Sequence, residues 1–91
     1  MRLGANFPNP FNPETVVPFI VQAPAQHVRL SVYNSAGQLV RELLNKQMTP
    51  GAYEVLWDGR NAAGSPVGSG VYLYQMQVEG AVQVRRMTLL K

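Results

Sequence analysis

The sequence predicts a small all-β domain in which about seven antiparallel strands form a sandwich. Apolar and polar residues alternate over several short segments, as they do in strands that bury one face. Glycine, proline and asparagine separate these segments at intervals of about ten residues. Only 14% of the residues are charged, which is few for a protein with surface helices. We expect residues 1–91 to form one domain, because this length suffices for one and not for two.

Residues 1–13 are expected to form an extended, proline-rich segment that leads into the sandwich. Prolines at positions 8, 10 and 13 remove backbone donors and exclude a helix. Each proline also favours extended geometry at the residue before it. Because Phe7 and Phe11 are the large apolar side chains of this segment, we expect both to anchor it to the core.

Three strands are predicted in the first half of the chain. Residues 17–21 alternate around Pro18, and because proline is confined to edges and bulges we expect an edge strand there. Residues 28–33 alternate with a clean period of two. Residues 39–44 also fit a helical spacing, but the neighbouring strands favour a strand.

Three more strands are predicted in the second half. Residues 53–57 and 72–78 alternate, and a long glycine-rich loop with room for a short seventh strand near Val67 joins them. A tight turn at Glu79–Gly80 leads into the last strand at residues 82–90.

The last strand changes parity along its length. Val82 and Val84 share one face, whereas Met87 and Leu89 share the other. We therefore predict a β-bulge at Arg85–Arg86, which would turn all four apolar side chains toward the core.

Composition limits the classes of partner. The chain has no cysteine, so it has neither a disulfide nor a thiolate metal site. No apolar run approaches the length of a transmembrane segment. The net charge of +3 comes from basic residues that are spread along the chain, whereas nucleic-acid binding needs them clustered. We therefore expect no nucleic-acid partner.

The residues that carry most enzyme chemistry are scarce. His27 is the only histidine, and the five acidic residues form no recognisable pair. Asp58 begins the glycine-rich loop, where capping of backbone N–H groups is the favoured role. Calcium ligation by Asp58 and asparagines 6, 9 and 12 is the alternative, but their spacing matches no known loop. We predict a protein that is not an enzyme and holds no cofactor.

The aromatic residues allow two interpretations. Tyr53, Trp57, Tyr72 and Tyr74 could form a platform that binds sugars. However, each alternates in phase with apolar neighbours, which favours positions in the core.

Five blocks of sequence, in order along nearly the whole chain, resemble the type A C-terminal sorting domain of the type IX secretion system. The blocks are LGANFPNPFNP at residues 3–13, VRLSVYNSAG at 28–37, WDGRN at 57–61, SGVYLY at 69–74 and RRMTLLK at 85–91. The fold of that family is similar to the immunoglobulin-like domain of flagellar hook-capping proteins. The resemblance therefore implies an immunoglobulin-like, fibronectin-III-like sandwich.

The resemblance also implies a function. Such domains lie at the C-terminus of secreted proteins in Bacteroidetes-type bacteria and direct them through the periplasm, across the outer membrane and to the cell surface. Their partners would be the outer-membrane secretion machinery, a sortase-like peptidase that cleaves the domain, and the surface polysaccharide that receives the protein. The cargo, commonly a hydrolase, would lie upstream of residue 1. Two alternatives stay open: an accessory carbohydrate-binding module, and a structural assembly domain like the hook cap.

The resemblance assigns candidate residues in two groups. We expect Arg86, where the family often has lysine, to contact the secretion machinery together with Met87, Leu89 and Lys91. Met87 and Leu89 have core packing as their alternative role. Of the signature residues, we expect Gly70 to allow a close backbone approach and Tyr72 to be a core residue with its hydroxyl bonded at the rim. The signature residues together are Pro8, Asn9, Pro10, Trp57, Asp58, Gly70 and Tyr72.

Overall fold

A computed structural model describes all residues from 1 to 91, and every regular element in it is a strand. The strands are β1 (Arg2–Leu3), β2 (Thr15–Val21), β3 (Gln26–Asn34), β4 (Leu39–Met48), β5 (Gly51–Trp57), β6 (Gly70–Val78) and β7 (Ala81–Leu89). One sheet has the order β1–β2–β5 and the other the order β4–β3–β6–β7, with all pairs antiparallel. The predicted all-β sandwich is confirmed, including the strand at residues 39–44. No helix of the length and apolarity that a membrane span requires is present.

The core lies between the two sheets and contains 16 buried apolar residues. The alternation within β3 buries Val28, Leu30 and Val32 completely. Opposite them, Val17 and Phe19 of β2 point inward from the other sheet. Each fully buried side chain of this kind contributes about 1.5–3 kcal/mol through the hydrophobic effect.

β2 is a central strand, so the prediction of an edge strand around Pro18 is wrong. β2 pairs with β5 along its whole length and with β1 on its other side. The Pro18 carbonyl accepts a hydrogen bond from the Gly4 amide at 2.8 Å, so the backbone groups of Pro18 face β1. Because β1 has only two residues, the missing donor of Pro18 removes no hydrogen bond from the longer ladder with β5.

The β6–β7 ladder is regular throughout, so the bulge predicted at Arg85–Arg86 is wrong. Met87 and Leu89 face the core, whereas Val82 and Val84 face solvent with exposed fractions of 47% and 52%. The parity changes because the first half of β7 carries apolar residues on its outer face and the second half carries them on its core face.

Irregular pairing occurs at the other edge of the same sheet. The β3–β4 register shifts between Leu30 and Ser31 and again between Val32 and Tyr33. The two edge strands of the four-stranded sheet therefore differ, because β4 is bulged and β7 is regular.

The tight turn that joins β6 to β7 has the predicted position. Glu79 and Gly80 have φ values of 53° and 88°, and positive φ at both central residues is what a type I′ hairpin turn requires.

Candidate functional site

Three aromatic rings from distant parts of the chain meet at one end of the sandwich. The Trp57 ring lies 5.7 Å from the Phe11 ring and 5.4 Å from the Tyr72 ring, between centroids. Trp57 is at the end of β5, Phe11 is in the N-terminal segment and Tyr72 is in β6. The cluster joins both sheets to the N-terminal segment, and it confirms Phe11 as an anchor. We call this end of the sandwich the motif end.

The N-terminal segment pairs with the last residues of the chain at the motif end. The Asn9 side-chain oxygen accepts a hydrogen bond from the Thr88 amide at 3.0 Å. The Phe11 amide donates to the Thr88 carbonyl, and the Leu90 amide donates to the Phe11 carbonyl, both at 3.0 Å. Residues 9–11 therefore cover the outer edge of β7 over its final residues.

The neighbouring prolines and Phe7 lie on the surface. Pro8 and Pro10 are exposed and flank Asn9, whose side chain bonds to β7. The prediction that Phe7 anchors the segment through its ring is wrong, since 48% of Phe7 is exposed. Phe7 is instead held by its backbone, which exchanges two hydrogen bonds with Val16 of β2 at 2.9 and 3.0 Å.

The long loop after β5 is fixed by side-chain-to-backbone bonds. Asp58 accepts a hydrogen bond from the Arg60 amide at 3.1 Å, which confirms its predicted capping role. The Trp57 indole donates to the Arg60 carbonyl at 3.0 Å. Arg41 lies 3.5 Å from the Asp58 carboxylate and also donates to backbone carbonyls of the loop.

Gly59 brings this loop against the N-terminal segment. It has a φ of 75°, and a Cβ built on it would lie 2.8 Å from the Pro13 carbonyl oxygen. Only glycine permits both this conformation and this approach. The close contact that was expected at Gly70 is therefore found at Gly59.

Gly70 itself has open space where a Cβ would stand, so the prediction of a close backbone approach there is wrong. Its φ of 152° is what favours glycine at the start of β6. Tyr72 is 7% exposed and its hydroxyl donates to the Gly68 carbonyl at 2.7 Å, as predicted. Burial raises the pKa of this phenol above its ordinary value.

Tyr74 holds the beginning of the chain, a role that periodicity did not reveal. Its hydroxyl donates to the Gly4 carbonyl at 2.7 Å and accepts from the Asn6 amide at 2.9 Å. Burial raises the pKa of Tyr74, although the hydrogen bond from Asn6 and the nearby Arg85 oppose the shift. The Asn6 side chain in turn donates to the Thr15 hydroxyl at 3.0 Å. The contacts join residues far apart in sequence, so alternation within one strand could not indicate them.

The four candidate contact residues of the tail fall into two groups. Met87 and Leu89 are completely buried. The prediction that their side chains contact a partner is therefore wrong for the folded domain, and they are core residues. Arg86 and Lys91 are exposed. The Lys91 amide is held by the Ser69 hydroxyl at 2.9 Å, which places the end of the chain beside the start of β6.

The structure brings no acid–base pair together around His27. Its ring nitrogen contacts the Asn45 side chain on the exposed outer face of β3 and β4. Two of the five carboxylates form ion pairs with arginine, Glu42 with Arg29 at 3.2 Å and Asp58 with Arg41 at 3.5 Å. No group of three or more metal-ligating side chains occurs.

The aromatic residues lie in the core rather than on a platform. Trp57 and Tyr74 are fully buried and Tyr72 nearly so, which confirms the core interpretation for them. Tyr53 is half-buried and stacks on Phe19 at 5.5 Å between ring centroids.

The two sheets and the motif end that closes them define an immunoglobulin-like β-sandwich domain. Residues 9–81 match the sequence model of the FlgD Ig-like domain, and the chain belongs to that family. None of the curated protein sequences compared with the chain is significantly similar to it.

Two solved structures from Porphyromonas gingivalis contain a similar fold. Dimeric latent PorU is 23% identical with a TM-score of 0.77, over 94% of this chain and 9% of the PorU chain. PorZ, described as an essential bacterial surface component of the type IX secretion system, is 18% identical with a TM-score of 0.62. That match covers 96% of this chain and 11% of the PorZ chain. The chain thus spans about a tenth of the length of either neighbour, and the similarity is one of fold.

Proposed function

We propose that this chain is a non-catalytic C-terminal sorting domain that directs an upstream protein through the type IX secretion system to the cell surface. The observation that carries the proposal is that the last strand is held at its end and exposed along its edge. β7 lies at the edge of its sheet, and the motif residues hold its end while Arg86 and Lys91 project into solvent. A partner can therefore reach a defined, rigid and basic strand.

The motif residues support this proposal because they act together. The PNPF segment, Trp57, the SGVY segment and the basic tail are distant in sequence, yet they converge at the motif end. The residues that resemble the sorting family therefore form one connected part of the structure. The fold shared with PorZ, a surface component of the same secretion system, agrees with this function.

In this proposal the tail acts through charge, and its apolar residues act through packing. Arg86 and Lys91 would contact the outer-membrane secretion machinery, whereas Met87 and Leu89 keep the strand in place. After translocation, a sortase-like peptidase would cleave the domain and the surface polysaccharide would receive the upstream protein.

A reporter fusion tests the proposal. Residues 1–91 are joined to the C-terminus of a periplasmically exported reporter enzyme, in a bacterium with the type IX system and in an isogenic strain that lacks it. We expect the reporter to be accessible to external protease on intact cells of the first strain only. Equal display in both strains, or retention in the periplasm of both, would overturn the proposal.

Charge reversal tests the residue assignment in the same assay. We expect the double variant Arg86→Glu, Lys91→Glu to reduce display about tenfold, because it removes basic contacts on the tail. The matched control is the double variant Arg2→Glu, Lys46→Glu, which reverses one exposed arginine and one exposed lysine away from the motif end and should display normally. Equal display of both variants would remove Arg86 and Lys91 from the site.

A second function, structural assembly like that of a hook cap, is favoured by the family match over residues 9–81. It predicts that the purified domain assembles with copies of itself or with a filament protein and leaves the reporter in the periplasm. Sedimentation velocity together with the reporter assay distinguishes the two functions.

A further inference from the structure

The first half of β7 presents an unpaired backbone edge. The amide and carbonyl of Thr88 point away from β6, because they bond to Asn9 and Phe11. Backbone groups alternate in direction along a strand, so those of Val82, Val84 and Arg86 face the same side. None of the backbone groups of these three residues has a hydrogen-bond partner on that side, since β7 pairs only with β6 there and meets Phe11 only near Leu89. We call residues 82–86 the open edge.

The open edge lacks the features that usually prevent strand addition. Proteins protect sheet edges with bulges, prolines or covering segments. β4, at the opposite edge of the same sheet, has two register shifts. β7 has none, it contains no proline, and the covering segment at residues 9–11 reaches only its last residues. Met1 and Leu3 bond to the Gln83 side chain, which lies on the same face of β7 as Met87 and Leu89, and they make no hydrogen bond to the backbone of β7. Residues 82–86 are therefore the one regular stretch of this sheet's edges whose outward backbone groups have no partner.

The side chains of the open edge indicate what it would bind. Val82 and Val84 lie on the outer face and are about half exposed, so a strand laid beside them would bury apolar surface. Arg85 and Arg86 are also exposed, and β7 contains no acidic residue. A complementary strand would place apolar residues opposite the valines and acidic residues opposite the arginines.

We propose that the open edge binds an extended segment of a partner protein as an added antiparallel strand, with acidic and apolar residues in that register. A second copy of this chain fits less well, because antiparallel pairing about Val84 would place Val82 and Gln83 opposite Arg86 and Arg85, and the arginines would gain no acidic partner. The identity of the partner as secretion machinery rests on the proposed function, but the mode of binding does not. A peptide experiment therefore tests this inference independently of secretion.

The probe is the capped peptide Thr-Glu-Glu-Val-Gln-Val-Thr, which places its glutamates opposite Arg85 and Arg86. It is titrated to millimolar concentration into the 91-residue chain, and amide chemical shifts are followed by NMR. We expect saturable shifts at residues 82–86, and weaker binding as the salt concentration rises. A peptide with lysines in place of the glutamates should bind about tenfold more weakly.

N-methylation of the peptide separates strand addition from general attraction. In the proposed register the first valine of the peptide donates to Val84, whereas the glutamine amide points away. Methylation of the valine nitrogen should weaken binding about tenfold, and methylation of the glutamine nitrogen should change it less than about twofold. Val84→Pro should weaken binding of the unmodified peptide to a similar degree, while Val84→Thr should retain it.

Three outcomes would overturn the proposal. The first is the absence of saturable shifts, and the second is equal binding of the two methylated peptides. The third is a concentration-dependent dimer of the free domain that protects the amides of residues 82–86, which would assign the open edge to a second copy of the chain.

Discussion

The two ends of the sandwich are built in different ways. At the motif end, residues 9–11 bond to Thr88 and Leu90 across most of the sequence, and Ser69 at the end of the loop after Trp57 bonds to Lys91. At the opposite end, which we call the turn end, short connections at residues 22–25 and 49–50 cross between the sheets, and the turn at residues 79–80 joins β6 to β7. The motif end is therefore held by bonds among three distant segments. The turn end is closed mainly by short connections, together with bonds between the backbone of Met1 and Leu3 and the Gln83 side chain.

This difference explains where the recognisable motifs lie. A turn needs only residues with suitable backbone preferences, and many sequences provide them. The motif end needs particular side chains, such as an asparagine that reaches the Thr88 amide and a glycine that meets Pro13. The effects of substitutions on the free energy of unfolding should consequently differ between the two ends in size and even in sign.

The largest effect is expected for Leu89→Ala at the motif end. Leu89 is completely buried, so truncation leaves a cavity and should lower the free energy of unfolding by about 2–5 kcal/mol. The matched control is Leu90→Ala, because Leu90 is 54% exposed and should change stability by less than about 0.5 kcal/mol. Urea unfolding followed by circular dichroism measures both. Similar losses at the two positions would contradict the assignment of Leu89 to the core.

Gly59→Ala should cause the next largest loss of stability, and Gly64→Ala is its control. Both glycines have positive φ, but only at Gly59 would a Cβ meet another backbone atom, the Pro13 carbonyl oxygen at 2.8 Å. The shared conformational strain should cost about 1–2 kcal/mol. The clash should cost Gly59→Ala about 1–3 kcal/mol more. Equal unfolding free energies of the two variants would show that the loop does not press on the N-terminal segment.

A smaller loss is expected for Asn9→Ala. The variant removes the acceptor of the Thr88 amide at the protein surface, so the unfolding free energy should fall by about 0.5–1.5 kcal/mol. Amide exchange should also accelerate at Thr88. Asn12→Ala is the control, since Asn12 is exposed and its side chain makes no hydrogen bond. Unchanged exchange at Thr88 in Asn9→Ala would show that the Asn9 side chain does not protect the Thr88 amide.

At the turn end, a substitution should instead be able to raise the stability of the domain. Glu79 has a φ of 53°, a conformation that asparagine adopts more readily than glutamate. Glu79→Asn should therefore raise the unfolding free energy by about 0.5 kcal/mol, as measured by thermal and urea unfolding. A loss of stability would indicate that Glu79 makes a contact beyond the turn.

The sequence allowed most of the fold to be predicted, because alternation and turn residues are local signals. β3, β4, β6 and the turn at residues 79–80 were predicted from them correctly. The bulge at Arg85–Arg86 was predicted on the assumption that every apolar residue turns inward. Val82 and Val84 break that assumption, since they lie on the outer face of an edge strand.

The error at Pro18 and the contact missed at Tyr74 have a different origin. Pro18 was expected in an edge strand. The structure shows that a central strand tolerates proline when its missing backbone donor faces a very short partner strand, here β1. Tyr74 and Asn6 bind each other across more than half of the chain, and neither alternation nor turn composition encodes such a contact. Several residues that carry the resemblance to the sorting family lie together at the motif end, and the resemblance did not indicate that some of them bond to the last strand.

Amide hydrogen exchange along β7 tests most directly the claim that the last strand is clamped at one end and open at the other. We predict slow exchange at Gln83, Arg85 and Met87, which bond to β6, and at Thr88, which bonds to Asn9. The amides of Val82, Val84 and Arg86 should exchange fast in the free domain. Slow exchange at these three positions, or fast exchange at Thr88, would contradict the account.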